Sequence, residues 1–336
     1  MSIRPVRRIA GVSADELSAL LQDASEPLVL AGFCAHWPLV QLGLQSAEAA
    51  LGFIAGCSSG EPVAVAALAK EAQGRVFYNA DQTGFNYSGG RVSFAEFCQQ
   101  LLALAAAPDG RCLYMGSTEV SRWFPGLLAQ HQLPLSDWQP LTSLWIGNQA
   151  QIAAHYDFPH NLACNLVGQR EFLLFPPQQV ANLYPGPMEF APGGQDISMV
   201  DFNQPDFERF PKAREALQAA QLARLEPGDL LFIPSMWWHQ VTGKADVNVL
   251  LTHWWRDTPG YLGRPNNALL AAVLGIRSLP KAQRQAWQAL FEYYVFEHDE
   301  VDQQQISPQA LGMLEKPLPE LEARKLRADL QNKLKR

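Results

Sequence analysis

The sequence predicts a mainly β fold with helices added before and after it, and three observations support this. Between residues 141 and 255, short apolar runs alternate with Gly, Pro and Asn, the texture of strands joined by turns. The flanking regions instead place apolar residues three and four apart, the period of helices. The length, 336 residues with 48% hydrophobic and 18% charged positions, supplies a large core and excludes a disordered or collagen-like chain.

Taken in order, Ser13 with Glu16 and then Leu17, Leu20 and Leu21 reads as a capped amphipathic helix. Residues 27–31 form a short buried strand, ended by His36, Trp37 and Pro38. Residues 92–107 carry an N-cap at Ser93 and apolar Phe94, Phe97, Leu101, Leu102 and Ala105 at helical spacing, and residues 112–115 read as a strand. Residues 1–110 are thus an elaboration of a core at 111–258. Within that core the expected strands are 144–146, 152–156, 162–167, 170–175, 230–233 and 247–255. Residues 184–223, rich in Pro, Asp and Phe, are a long insert. Such loops are commonly functional, so Phe190, Phe202, Phe207 and Phe210 are expected in a lid or recognition surface.

After Pro265 the pattern is helical again, with Ala268, Leu269, Ala272 and Val273, then Trp287, Leu290, Phe291, Tyr294 and Val295. This region, 264–336, is expected to be helical and to pair two copies of the chain in a homodimer. Its last part, 315–336, is richer in Lys and Arg than in acids and reads as a solvated helix.

A formal charge of -7 and a pI near 5.5 argue against a dedicated nucleic-acid binder. Cys34, Cys57, Cys98, Cys112 and Cys164 are widely separated, odd in number and contain no CxxC pair, which indicates neither a disulfide framework nor a zinc knuckle and favours buried thiols. The opening residues lack the continuous apolar run of a signal peptide, and the longest apolar runs, 101–107 and 268–276, fall short of the roughly 20 residues that span a bilayer. The expected location is the cytoplasm.

The residues with metal chemistry begin at Ala154, His155, Tyr156 and Asp157. Alternate side chains of a strand share a face, so His155 and Asp157 offer a nitrogen and an oxygen to one ion. A second segment runs from the Pro227, Gly228, Asp229 turn through an apolar strand to Trp237, Trp238 and His239. A barrel returns that strand beside the first, giving a two-His, one-carboxylate face suited to non-haem Fe(II) with open positions. Zinc accepts the same ligand types. His160 and His253 fall on other faces, His36, His131 and His298 lack ligand spacing, and the two tryptophans read as a packing wall.

These residues resemble a known family. The H-Y-D segment, the N-L at Asn161, the run from Gly168 through Arg170 to Pro177, the P-G-D turn and W-W-H are similar to the JmjC-type 2-oxoglutarate oxygenases. The resemblance is closest to the asparaginyl hydroxylase group that acts on hypoxia-inducible factor and to its bacterial cupin-like relatives. Residues 27–38 resemble the family's first strand and W-P turn, Leu113 and Tyr114 its L-Y strand, and the helices after Pro265 its dimerisation segment, so the likeness covers roughly residues 20–300.

The resemblance implies a double-stranded β-helix, or jelly-roll cupin, core using Fe(II), 2-oxoglutarate and O2. It implies that His155, Asp157 and His239 hold the iron, that Tyr114 and Asn161 hydrogen-bond the cosubstrate, and that Thr252 replaces an Asn near the cosubstrate's carboxylate. Arg170 stands where the hydroxylase has a lysine for the far carboxylate, and its planar fork suits a carboxylate. Ile152 stands where that enzyme has a Thr, which removes one hydrogen bond. The implied activity is hydroxylation of a C–H bond in a protein side chain or a small amino-acid-like substrate. Two other functions compatible with the fold are a metal-binding module without catalysis and an RNA-modifying hydroxylase.

Overall fold

A computed structural model describes residues 3–135, 138–298 and 305–335. Residues 1–256 and 257–336 form two compact units.

In the first unit the strands are β1 (Arg4–Pro5), β2 (Arg7–Ala10), β3 (Leu28–Ala31), β4 (Val63–Leu68), β5 (Arg75–Val76), β6 (Tyr87–Val92), β7 (Cys112–Glu119), β8 (Leu141–Gly147), β9 (Gln151–Tyr156), β10 (His160–Val167), β11 (Arg170–Phe175), β12 (Gln221–Leu225), β13 (Leu230–Ile233), β14 (Trp238–Gly243) and β15 (Asn248–Trp255). They build two sheets, ordered β1-β12-β11-β14-β9-β5 and β2-β3-β13-β10-β15-β8-β7-β4-β6. Consecutive strands β10 and β11 lie in different sheets, as do β13 and β14, so the chain winds between two layers in the manner of a jelly roll.

Strand periodicity decides what each layer buries. On β10, Leu162, Cys164 and Leu166 point to one cluster while Ala163 points to another. The first cluster is completed by helices Ala14–Gln22, Pro38–Gln45, Ala47–Gly56 and Phe94–Ala106, through Leu17, Leu39, Ile54, Phe97 and Leu101. Ser93 caps the last of these by accepting from the Glu96 amide, and Glu16 accepts from the Ser13 amide and hydroxyl at the first. The second cluster lies between the sheets, where Phe172 and Leu174 of β11 meet Ala163, Leu231 and Leu250.

The outer face of β11 is covered by the insert. Phe202 lies 4.6 Å from Phe175, and Phe207 and Phe210 join the same cluster, so three of its four phenylalanines pack the barrel and do not form a clamp. The insert also ends earlier than expected. A helix, Ala213–Ala219, and β12 occupy its last third, and β12 pairs with β11.

The P-G-D turn is a hydrogen-bonding hub. Asp229 is buried and accepts from the Arg8 guanidinium with both oxygens, from the Gly32 amide and from the Glu226 amide. Gly228 has φ +93°, and a Cβ there would lie 2.7 Å from the Ala35 backbone.

In the second unit, Pro265–Gly275 and Lys281–Phe291 are helices with no buried residue, and Glu320–Leu334 is a mostly exposed helix, with Ala323 buried. No helix among the described residues is long and apolar enough to cross a membrane.

Two stability effects are expected. Asp229→Ala orphans the Gly32 and Glu226 amides and should cost about 2–4 kcal/mol in denaturant unfolding, with the half-exposed Arg8 adding little. His253 is buried, its Nδ1 has no partner, and burial pushes its imidazole down to about 4. The unfolded imidazole binds its proton below about 6.5. Stability is therefore intact above that pH and falls as pH drops from about 6.5 to 4, by up to roughly 3 kcal/mol. Unfolding titrations of His253→Phe should show a flatter slope in this window.

Candidate metal centre

The pairing of β9 with β14 assembles the centre. His155 is directly opposite His239 in their register, with ring centroids 4.3 Å apart, and Asp157 follows one residue after β9 ends. The Asp157 Oδ2 lies 3.6 Å from His239 Nε2, and the three side chains offer ligand atoms all within 4.8 Å of one another.

Each imidazole has its proton placed by its own strand. His155 Nδ1 lies 2.9 Å from the Ala153 carbonyl and His239 Nδ1 3.0 Å from the Trp237 carbonyl. A carbonyl only accepts, so Nδ1 carries the hydrogen and Nε2 presents a lone pair. Burial, reinforced by the neighbouring His155 and partly opposed by Asp157, pushes His239 down to about 4, so it is neutral at pH 7. The donor set is two imidazole nitrogens and one carboxylate oxygen, which fits Fe(II) and leaves further coordination positions open.

Two turns are laced together around the ligands. The Met236 amide donates to the Asp157 carbonyl at 2.9 Å, and the Ser235 hydroxyl donates to the Phe158 carbonyl at 2.6 Å. Met236 takes φ +67° to do so, a left-handed backbone uncommon outside glycine. His160 stacks against Phe232 and Trp255 and accepts from the Ser235 amide, a structural role.

The triad opens into a cavity of about 480 Å³ that also contains Tyr114, Asn161, Arg170 and Thr252 among its walls. A larger groove of about 670 Å³ includes none of these residues, and its Gln151 and Asp201 already bond each other at 2.9 Å. Arg170 is 6% exposed and its Nε has no partner. No carboxylate among the described residues pairs with it. Burial pushes its guanidinium down to about 10, and Tyr114 beside it opposes that shift. Burial likewise raises the Tyr114 hydroxyl, which stays protonated and able to donate. Asn161 is buried with Oδ1 unpartnered, and Ile152 adds an apolar wall.

Thr252 differs from expectation. Its hydroxyl accepts from the Trp145 indole at 2.8 Å and donates to the Ser143 carbonyl at 3.3 Å. Its single proton is spent inside the wall, so it has none to give a carboxylate. Trp237 and Trp238 are core residues, as expected, and do not border the cavity. Sequence reasoning missed Trp145 and Trp254, which line the cavity, and Pro192, Gly193 and Gln195 of the insert. Strand alternation held the signal for Trp254, two residues beyond Thr252 on the same face.

Two layered sheets with a His-Asp-His face opening between them define a cupin-type jelly roll. The cupin-like domain family matches residues 14–261, and the chain belongs to it, with relatives of the JmjC type. Lysine-specific demethylase JMJ31 of Arabidopsis thaliana is 32% identical over 116 residues, 34% of this chain and 21% of that protein. The tRNA wybutosine-synthesizing protein 4 of Gibberella zeae is 32% identical over 139 residues, 40% of this chain and 13% of that protein. Jumonji C domain-containing protein 5 of Drosophila melanogaster is 24% identical over 260 residues, 72% of this chain and 58% of that protein. The chain thus covers less than two thirds of the length of each of these relatives.

Replacing His239 with Ala removes one of three ligands and should abolish stoichiometric Fe(II) or Mn(II) binding in equilibrium dialysis. The wild-type chain should retain one ion.

Proposed function

We propose that the chain is an Fe(II)- and 2-oxoglutarate-dependent dioxygenase that hydroxylates a C–H bond of a protein side chain or a small amino-acid-like substrate. The observation that carries this reading is Arg170, a buried guanidinium without a counter-charge in the same cavity as the triad. Such a charge costs several kcal/mol to bury alone, and a dicarboxylate cosubstrate offsets that cost. Arg170 pairs with Gly243 and Leu174 with His239 on neighbouring strands, so roughly 13 Å of strand separates the two ends of the cavity. A long side chain and a short diacid fill that gap end to end.

When bound, iron with 2-oxoglutarate and O2 supplies the oxidation: the keto acid loses CO2 and becomes succinate, and one oxygen atom enters the substrate C–H bond. The chain's own residues do the rest. His155, Asp157 and His239 hold the ion from one side, Arg170 and the Tyr114 hydroxyl bind the far carboxylate, and Ile152, Val76 and Ile197 exclude water. Pro192, Gly193 and Gln195 of the insert line the same cavity. The name of the wybutosine relative raises an RNA substrate, which the net charge of -7 does not favour. A binding module without catalysis leaves the buried Arg170 unexplained.

The second unit suits a homodimer. Leu269, Leu274, Trp287, Leu290, Tyr294 and Phe296 are all exposed by 45% or more, and large apolar side chains left exposed in this number suit a protein interface. Five cysteines without a disulfide support a cytoplasmic location.

Anaerobic titration of the Fe(II)-loaded protein with 2-oxoglutarate should produce the visible iron-to-keto-acid charge-transfer band. Arg170→Ala should weaken it by at least tenfold in affinity. Absence of the band at full iron loading would refute the cosubstrate reading. In sedimentation velocity, Leu274→Asp with Trp287→Glu should convert a dimer to a monomer without loss of metal binding.

A further inference from the structure

We propose that residues 187–196 of the insert form a strap across one side of the metal cavity, latched at the tip by the ring of Phe190 on Phe85, and that release of this latch opens the cavity. The inference goes beyond the function proposed above and depends on neither the metal nor the cosubstrate.

The base of the strap belongs to the sheet that carries the metal ligands. Its two arms pair with each other, the Gly186 amide donating to the Ile197 carbonyl and the Met199 amide to the Tyr184 carbonyl, both at 2.9 Å. The second arm also joins the edge of β9. Ile197 lies opposite His155, and the Ser198 amide donates to the Ala154 carbonyl at 2.7 Å. Ile197 is buried in a cluster with Tyr78 and Ala153. Main-chain bonds and a buried side chain make this end firm.

The tip crosses to the other sheet. Phe190 stacks on Phe85 with centroids 4.4 Å apart at 9°, and Phe85 stacks in turn on Tyr87, the first residue of β6, at 5.1 Å and 4°. The Tyr78 hydroxyl donates to the Phe190 carbonyl at 2.6 Å. Since β9 lies in one sheet and β6 is the last strand of the other, the strap ties the two layers together. Its partner is braced. Tyr78 and Phe85 face each other in a hairpin whose turn is closed by Asn79 and Asp81, which accept from the Gly84 and Thr83 amides. Phe190 is 36% exposed and Tyr78 only 3%, so the latch gives way on the side of the strap.

Between base and tip the chain is loosely packed. A Cβ at Gly193 or Gly194 would meet no atom within 4 Å. Gly193 is exposed and yet lines the cavity with Pro192 and Gln195, so a single run of backbone separates the cavity from solvent here. A segment held mainly at its ends moves as one body when an end is freed. One aromatic pair and one hydrogen bond are a small hold, and loss of the pair shifts the closing equilibrium by about tenfold. Phe190 thus has a role that Phe202, Phe207 and Phe210, packed on the barrel, do not share.

The test uses the full chain without metal or ligand and has two readouts. The first is cleavage by glutamyl endopeptidase after Glu189, which is exposed on the strap beside the latch. Cutting a native loop requires it to leave the fold, so the rate follows the open population. Phe85→Leu and Tyr78→Phe weaken the latch from the hairpin side and leave the cleaved sequence unaltered. The second readout is modification by N-ethylmaleimide in a Val76→Cys background, followed at position 76 by peptide mass spectrometry. Val76 is 7% exposed and lines the cavity from β5, outside the strap.

The expected result is that cleavage after Glu189 and modification at position 76 both become about tenfold faster in Phe85→Leu. Tyr78→Phe should accelerate both by about threefold or more. Cleavage elsewhere in the chain should not change. Tyr78→Phe removes one oxygen atom and decides both readouts if Phe85→Leu does not fold. Unchanged cleavage after Glu189 in these variants overturns the latch. Faster cleavage with unchanged modification overturns the proposal too, because the strap then opens without exposing the cavity. Faster modification without faster cleavage also overturns it, since that pattern marks a loosening of β5 alone.

Discussion

The pairing of β9 with β14 is the constraint on which the site depends. His155 and His239 lie 84 positions apart in the chain and meet only because these two strands are hydrogen-bonded neighbours with those residues opposite each other. A slip of one residue in that register would turn His239 to the outer face and leave Trp238 in its place. The register is held from both sides. On one side β14 pairs with β11 over six residues, and on the other the turn at 234–237 is tied to the loop after Asp157. Loss of any one tie leaves the others to hold the alignment.

The cavity exists because apolar packing between the sheets is incomplete. Phe172, Leu174, Leu231 and Ile233 fill the inter-layer space around β11 and β13, while β9, β14 and β15 turn His155, His239, Thr252 and Trp254 inward. Helices cover the outer face of one sheet and the insert covers that of the other. The central strands β10, β11, β13 and β15 are thus buried on two faces, which lets polar side chains face inward without cost to the outer packing. The turn at Gly168, with φ +72° and no room for a Cβ beside Val247 and Asn248, carries the chain between layers and delivers Arg170 to the far end.

Much of this was legible in the sequence. Runs of branched and aromatic residues at 152–156, 162–167, 170–175, 230–233 and 247–255 coincide with β9, β10, β11, β13 and β15, because a strand buried on two faces must be apolar along its length. The His-Asp-His set was legible from spacing, since period two places His155 and Asp157 together. The missed strands are β1, β2, β4, β5, β6, β12 and β14. Alanine in β4 and the Gly89, Gly90 pair in β6 have low strand propensity, and their pairing comes from neighbours distant in sequence. The hydrogen bonds of Thr252 were not legible for a related reason. They run to Trp145 and Ser143, which join it only through the β8–β15 register.

The two imidazoles of the candidate centre take their orientation from main-chain carbonyls two residues upstream, at Ala153 and Trp237. Many such rings lean on an aspartate or glutamate that mutation can remove. Here the supporting oxygen belongs to the backbone and survives any side-chain replacement that leaves the strand intact. The basicity of the two nitrogens is therefore insulated from sequence drift around them. A lineage is free to rewrite the walls of the cavity, and with them the substrate, while the electronic character of the donor set stays constant.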